Sequence, residues 1–207
     1  MGFIIQNNPM ASSRNTQLIL ASQSPRRKKI LEFLSIPFRV VKPQGVDETP
    51  FSGESAPQLV KRLAQSKALA VSKRYPHLPV LAADTVVIQK NKIYGKPKNR
   101  LEAFQMIASL QGKKHEVWTG TALVWKQRGI VENYSEKTTM VFKTLSPAFI
   151  KKYVETKEPY DKAGAYDIQG SASNWIKKWE GDYFNVMGLP IQWVVQQTGK
   201  ISRLEKF

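Results

Sequence analysis

The sequence predicts an α/β protein: a mixed sheet flanked by helices, arranged as two lobes with a cleft between them. Three observations carry this. Apolar runs of strand length alternate with helical stretches through the first half of the chain. The second half holds two long β-rich stretches, 115–125 and 130–144, joined at Gln127-Arg128-Gly129 like a hairpin. No internal repeat or low-complexity segment interrupts this order.

The elements follow in turn. Gln17 to Ala21 reads as a buried strand, ended by Ser22-Gln23-Ser24-Pro25. Ser24 suits an N-cap and Pro25 the first helical position, and the helix runs to about Leu34 with Ile30, Leu31 and Leu34 on one face. Phe38 to Val41 is a second strand, and 42–54 a polar loop. Ala56 to Arg74 is an amphipathic helix with Leu59, Leu63 and Leu69 among its apolar positions, stopped by Tyr75-Pro76. Val80 to Ala83 is a strand stopping at Asp84; Thr85 to Gln89 is a further β segment, and Asn91 marks a turn. Asn99 to Leu110 is helical and ends at Gln111-Gly112. Ser146-Pro147 opens a helix to about Glu155, 161–170 is a Gly-rich loop, and a last helix covers Ile191 to Gln197.

With 207 residues the chain can bury roughly 70% of its unfolded surface, so it needs no disulfide or metal to fold. It has no cysteine, which excludes disulfides, thiolate metal sites and cysteine nucleophiles. No apolar run approaches the ~20 residues of a membrane span. Met1 to Thr16 lacks the basic opening and apolar stretch of a signal peptide. Residues 1–16 are therefore expected to be a mobile extension ahead of a domain at 17–207, and a cytoplasmic location is the default. The formal net charge of +16 favours polyanionic partners, with a solvated basic surface as the plain alternative.

Several motifs carry chemistry. In Ser22-Gln23-Ser24-Pro25-Arg26-Arg27 a strand leads into a helix N-terminus, whose free N–H groups attract anions. Two arginines in that first turn oppose the helix dipole, and arginine grips phosphate with two prongs, so the motif points to phosphate, with a surface turn carrying solvated arginines as the plain alternative. Asp84 follows the apolar Leu81-Ala82-Ala83, where α/β sheets place their sites; it could hold a metal, activate water, or cap a turn. Lys96 sits in Gly95-Lys96-Pro97, which could present a fixed charge but taken alone reads more readily as a surface turn, and Asp47-Glu48 could bind Mg²⁺ or be a solvated acidic loop. Gln169 carries both a donor and an acceptor and could read a base edge, or stand in an ordinary Gly-rich connection. His77 and His115 have no partner at metal-ligand spacing and are expected to be structural or exposed. No GxxxxGK[ST] or GxGxxG motif is present. Trp175, Trp179 and Trp193 fit packing better than base stacking, and Lys177-Lys178 reads as a solvated face.

In order, Leu20-Ala21-Ser22-Gln23-Ser24-Pro25-Arg26-Arg27, Ala82-Ala83-Asp84-Thr85, Gly95-Lys96-Pro97, His115 with Thr119-Gly120, the 161–170 loop, and Asn185 with Gly188-Leu189-Pro190 resemble the Maf family of nucleotide pyrophosphatases. The resemblance implies a Maf or inosine-triphosphate-pyrophosphatase-like fold and hydrolysis of a nucleoside triphosphate to monophosphate and pyrophosphate. It also implies a divalent metal, Mg²⁺ or Mn²⁺, and a homodimer. It places Asp84 on the family's catalytic aspartate, and Arg26, Thr85 and Gln169 on positions tied to substrate choice. Ser22, Arg27, Glu48, Lys67, Lys96 and Lys162 match other polar positions of the cleft. Of these, Glu48 and Asp84 are the expected metal ligands. The set resembles the branch acting on dTTP and UTP more than the sister branch acting on 7-methyl-GTP. Asp167 departs from the pattern, standing where the family commonly carries glycine; that position could require a positive φ. A basic nucleic-acid-binding protein without catalysis is the rival class, with acids at the motif positions against it. Nucleic acid and membrane are not expected partners.

Overall fold

The computed structural model describes residues 17–90 and 92–204; the segment 1–16 and the turn expected at Asn91 lie outside them. β1 (Leu18–Leu20) leads into α1 (Pro25–Phe33), β2 (Phe38–Val40) and α2 (Ala56–Ser72). β3 (Val80–Gln89), β4 (Lys92–Tyr94) and α3 (Arg100–Leu110) follow. The hairpin of β5 (Lys114–Trp125) and β6 (Ile130–Phe142) comes next, then α4 (Pro147–Tyr153), β7 (Ile176–Glu180), α5 (Tyr183–Met187) and α6 (Ile191–Leu204). The strands make one mixed sheet in the order β2-β1-β3-β5-β6-β7, with β4 also paired to β3. β1 runs parallel to β2 and β3, and the other pairings are antiparallel.

Several sequence expectations change. β3 does not stop at Asp84; it is one strand from Val80 to Gln89, because β5 pairs with it from Val80 to Ile88. β7 and α5 were not expected. Ile176-Lys177-Lys178-Trp179-Glu180 carries the charges of a protected edge strand rather than an apolar run. Trp179 and Leu69 are half-exposed at 50% and 39%, whereas Trp175 and Trp193 are buried as expected. α6 continues well past Gln197 to Leu204. Among the described residues no helix is long and apolar enough to cross a membrane.

The period of two along each strand sorts side chains between two faces. Leu18, Leu20, Leu81, Ala83, Val117 and Leu123 enter the large core shared with α1, α3, α4, α5 and α6. Ile19, Ala21, Val80, Ala82, Ala122 and Val124 face α2 through Ala64, Ala68 and Val71. Asp84 has the parity of the α2 face and Thr85 that of the opposite face; opposite them on β5 stand Gly120 and Thr119. α2 lies flush on the sheet at Gly120, where an added Cβ would come within 2.1 Å of the Val60 carbonyl oxygen.

His115 is buried on β5, where its Nε2 lies 3.0 Å from the Tyr166 hydroxyl and its ring packs edge-on to Phe142. Burial pushes its pKa down from 6.5 to about 4. It is a core residue that fastens the 161–170 loop to the sheet, and His77 is exposed.

Gly120→Ala is expected to destabilise the fold by about 2 kcal/mol or more, because the helix must lift or the strand bend. A urea midpoint equal to that of the parent would mean that α2 is not seated this closely. His115 gives a second expectation. Above pH 6.5 it is neutral in both folded and unfolded chains and its contribution is constant. As pH falls toward 4 only the unfolded chain takes up the proton, so stability declines, by on the order of 3 kcal/mol across the window. Urea unfolding at several pH values, compared with His115→Gln, measures the difference.

Candidate active site

β3 has a neighbour on its β5 side along nearly its whole length, but on its other side the partners are interrupted. β1 pairs only as far as Leu81, and β4 begins at Val87. Between them Ala82 to Val86 face a gap in the sheet, and the candidate residues collect there. From the β1 side comes the turn into α1, with Ser24 and Pro25 at cap and first position as the sequence predicts. The first turn of α1 holds no acid, and Ser24 makes no side-chain cap, so its N–H groups remain available to an anion.

Arg27 fills the gap. Its NH1 donates to the Ala83 carbonyl at 2.8 Å and to Ser22 Oγ at 3.1 Å, its Nε to the Gly188 carbonyl at 2.8 Å, and its NH2 to Thr85 Oγ1 at 3.0 Å. Burial lowers its pKa to about 10, with Asp84 opposing, so it stays a cation at neutral pH. Of the five N–H bonds of a guanidinium, one is left for a ligand. Thr119 Oγ1 donates to the Asn185 carbonyl at 2.8 Å, so the 2.9 Å contact between the hydroxyls has Thr85 donating to Thr119. Asn185 in turn donates to the Val117 carbonyl and Thr138 Oγ1. Gly188, at φ 101°, closes the chain; an added Cβ would crowd Arg27 Nε and Thr85 Oγ1, both at 3.2 Å.

On the α2 face, the Lys67 ammonium lies 2.6 Å from Asp84 Oδ1 and 2.9 Å from Glu48 Oε1. Lys67 and Asp84 are buried at 8% and 9% exposure, while Glu48 reaches in from the exposed loop. Asp47, its neighbour, turns away to accept the Thr49 N–H at 2.9 Å, which pulls its pKa down. Two carboxylates against one ammonium leave a net negative charge at a spot where a cation already sits. The donors are hard oxygens, which suit Mg²⁺ or Mn²⁺. Among the described residues no group of three or more His, Cys, Asp or Glu side chains gathers, so an ion here would complete its shell with water and substrate oxygens.

The far side of the gap carries the remaining cations. The segment 161–165 is pinned by the Gly164 N–H donating to the Gly95 carbonyl at 3.0 Å and by Gly164 resting on Val87. This ties the Lys162 loop to the Lys96 loop. Lys162 is buried against Asp161 and lies 3.5 Å from Asp167 Oδ2, while Lys96 is exposed and has no ionic partner among the described residues. Arg26 faces Asp167 at 3.8 Å. Gln169 is exposed and close to Tyr183, whose hydroxyl is raised by burial, lowered by a hydrogen bond with Gln169 and raised by Asp167. The expected residues thus form two groups, Asp84-Lys67-Glu48 on the α2 face and Ser22, Arg26, Arg27, Thr85, Lys162 and Gln169 across the gap. A separate groove of about 710 Å³ along the outer side of α2, near Phe51, Arg62 and Leu69, contains none of them.

A family model described as Maf-like protein matches residues 17–200. This chain belongs to the Maf family. It is 49% identical over 180 residues to the dTTP/UTP pyrophosphatase of Symbiobacterium thermophilum, covering 87% of this chain and 91% of that protein. It is 44% identical over 186 residues to the dTTP/UTP pyrophosphatase of a Geobacillus species, covering 90% and 98%. Among solved structures the Ham1 protein of Staphylococcus aureus superposes with a TM-score of 0.53 at 12% identity, over 89% of this chain and 99% of that one, which shows a shared fold. Within the Maf frame, sequence reasoning missed Glu158 and Tyr183. Glu158 accepts from Ser171 and Tyr153 and leaves no room for a side chain at residue 170, which sets the turn carrying Gln169. No motif announces it.

Arg27→Ala is expected to destabilise the ligand-free protein by about 2–4 kcal/mol, since it strands the Ala83 and Gly188 carbonyls. Arg26→Ala, with its single long ion pair, should stay within about 0.5 kcal/mol of the parent. Thermal unfolding of both variants without nucleotide makes the comparison, and equal losses would contradict the structural role of Arg27.

Proposed function

We propose that this chain hydrolyses nucleoside triphosphates, dTTP and UTP foremost, to the monophosphate and pyrophosphate. One observation carries the proposal: the buried Asp84-Lys67 pair, joined by Glu48 from its exposed loop, lies at the sheet gap beside the arginine-bearing N-terminus of α1. Near-half identity to proteins named dTTP/UTP pyrophosphatase supports the substrate. The match over 17–200 supports one catalytic domain at 17–207. A homodimer, the expectation set by the resemblance, working in the cytoplasm, the default set by the sequence, completes the proposal.

In this reading the triphosphate lies along the α1 N-terminus. Arg26, Lys96 and Lys162 neutralise its phosphates, joined by the one free N–H of Arg27, while Ser22 and Arg27 keep the turn in place. Gln169 and Thr85 border the nucleoside. Glu48 and Asp84 would hold the divalent cation, which supplies charge neutralisation and a more acidic bound water. Lys67 balances the two carboxylates before substrate arrives and can pass its charge to the phosphates afterwards. Asp84 accepts the proton of the attacking water as the new bond to the α-phosphorus forms. The bond from the α-phosphorus to the bridging oxygen breaks, and pyrophosphate departs with that oxygen. Catalysis is chiefly positioning and electrostatics, supplied by groups whose places the sheet fixes.

The test is pyrophosphate release from a panel of nucleoside triphosphates with Mg²⁺ or Mn²⁺, for the parent and for Asp84→Asn. Turnover of dTTP and UTP, reduced about 10²–10⁴-fold in the variant, is the expected outcome. Turnover confined to 7-methyl-GTP or purine nucleotides would move the chain to another branch, and near-parental activity of Asp84→Asn would remove Asp84 as the base.

A further inference from the structure

Arg26 and Lys162 approach the gap from opposite sides, one from the first turn of α1 and the other from the loop pinned to Gly95 and Val87. With no nucleotide bound, something must offset the repulsion between them. Asp167 does so. Its Oδ2 stands 3.8 Å from Arg26 NH1 and 3.5 Å from Lys162 Nζ, and the three side chains are only 11–20% exposed. Both contacts are longer than a hydrogen bond. The carboxylate rests between the two cations as an anion does, without being locked to either. Apart from Asp167, Arg26 has no ion-pair partner among the described residues, while Lys162 has Asp161 as well.

The other oxygen has a different task. Asp167 Oδ1 accepts the Gln169 N–H at 3.0 Å and shapes the turn that presents Gln169. The backbone offers no reason for an acid here, since the positive φ values of this loop belong to Gly164 and Ala165 and not to Asp167. The turn needs only an acceptor; the charge is additional.

We propose that Asp167 is a built-in competing anion. Its carboxylate holds the place between Arg26 and Lys162 that a substrate phosphate takes, so binding requires its displacement and product release is helped by its return. The proposal rests on Arg26 and Lys162 being phosphate ligands, as in the reading above, and deepens it: Asp167 sets how much nucleotide is needed to fill the site.

Asp167→Asn separates the two tasks. Asparagine keeps the size and the acceptor for the Gln169 N–H and removes the charge. Expected are a fall in KM for UTP and a tightening of tripolyphosphate binding by calorimetry, each by about three- to tenfold, the scale of a partly screened ion pair. Asp167→Gly, which also removes the acceptor, should tighten tripolyphosphate similarly and loosen the turn, seen as faster amide exchange at Gln169. Unchanged or weaker tripolyphosphate binding in Asp167→Asn would overturn the proposal, whatever the turnover. Because tripolyphosphate binding needs no chemistry, the two readings fail separately. Tighter binding without hydrolysis of any triphosphate would uphold the competing anion and end the pyrophosphatase reading. Hydrolysis of UTP with unchanged binding would end only the role of Asp167.

Discussion

Along five residues of β3 one edge of the strand has no strand to pair with among the described residues, and the site depends on how that edge is satisfied. A backbone carbonyl left bare in such a place costs roughly as much as a lost hydrogen bond. β1 ends at Leu20 because the chain must turn into α1, and β4 cannot reach back beyond Val87. The interval could have closed by a longer β1, but a closed sheet would have no opening for a ligand. Instead the Arg27 guanidinium takes the Ala83 carbonyl and joins it to Ser22, Thr85 and Gly188. The Ala83 carbonyl is satisfied by a cation, so the opening is positive, as the proposed phosphate position would require.

The second constraint is the distance between α2 and the sheet. Gly120, opposite Asp84 on β5, lets the helix backbone approach, and that approach brings Lys67 onto the carboxylate. An ammonium buried without a partner would be expensive, and Asp84 alone would balance it. Glu48 makes the set unbalanced. Since Glu48 comes from an exposed loop while Lys67 and Asp84 are fixed by helix and strand, it is the member free to move when charge arrives. In the proposed reaction the site is thus rigid where the proton would be transferred and adjustable where the cation would be gathered.

Much of this was legible in the sequence. Ser24-Pro25 fixed the start of α1, and Arg26-Arg27 broke the dipole rule for helices, a local conflict of the kind that marks function. Lys67 also left a trace, for it falls on the inward stripe of α2 with Val60, Leu63, Ala64, Ala68 and Val71, where a lysine does not belong. Other features were not legible. Asp84 reads as the end of a strand because a carboxylate ordinarily stops one, and only the pairing with β5, from Val80 through Asp84 to Ile88, keeps β3 continuous. β7 is an edge strand whose lysines protect it from further pairing, and the same lysines hide it from a hydrophobic pattern. Arg27 looks like a free phosphate ligand until its acceptors, up to 161 residues away in sequence, are brought together.

Those acceptors also explain why residue 27 is an arginine. Ala83 and Thr85 lie two apart on one strand, Ser22 on the turn before α1, and Gly188 beyond α5, so the four oxygens diverge from one point. A lysine has three donors on a single atom and cannot meet four oxygens spread over that width, whereas the guanidinium presents its N–H bonds outward in a plane. From Thr85 the chain of donors runs one way, through Thr119 to the Asn185 carbonyl, because each hydroxyl has a single proton to give. Reversing it would turn the Thr119 proton to Thr85 and strand the Asn185 carbonyl, which can only accept. The orientation of the Thr85 hydroxyl, beside the nucleoside in the proposed complex, is therefore set by a cation on one side and a backbone carbonyl on the other. A substrate group meeting Thr85 finds an oxygen that can only accept, which favours a donor such as a ribose or deoxyribose hydroxyl or the N3–H of a uracil or thymine ring.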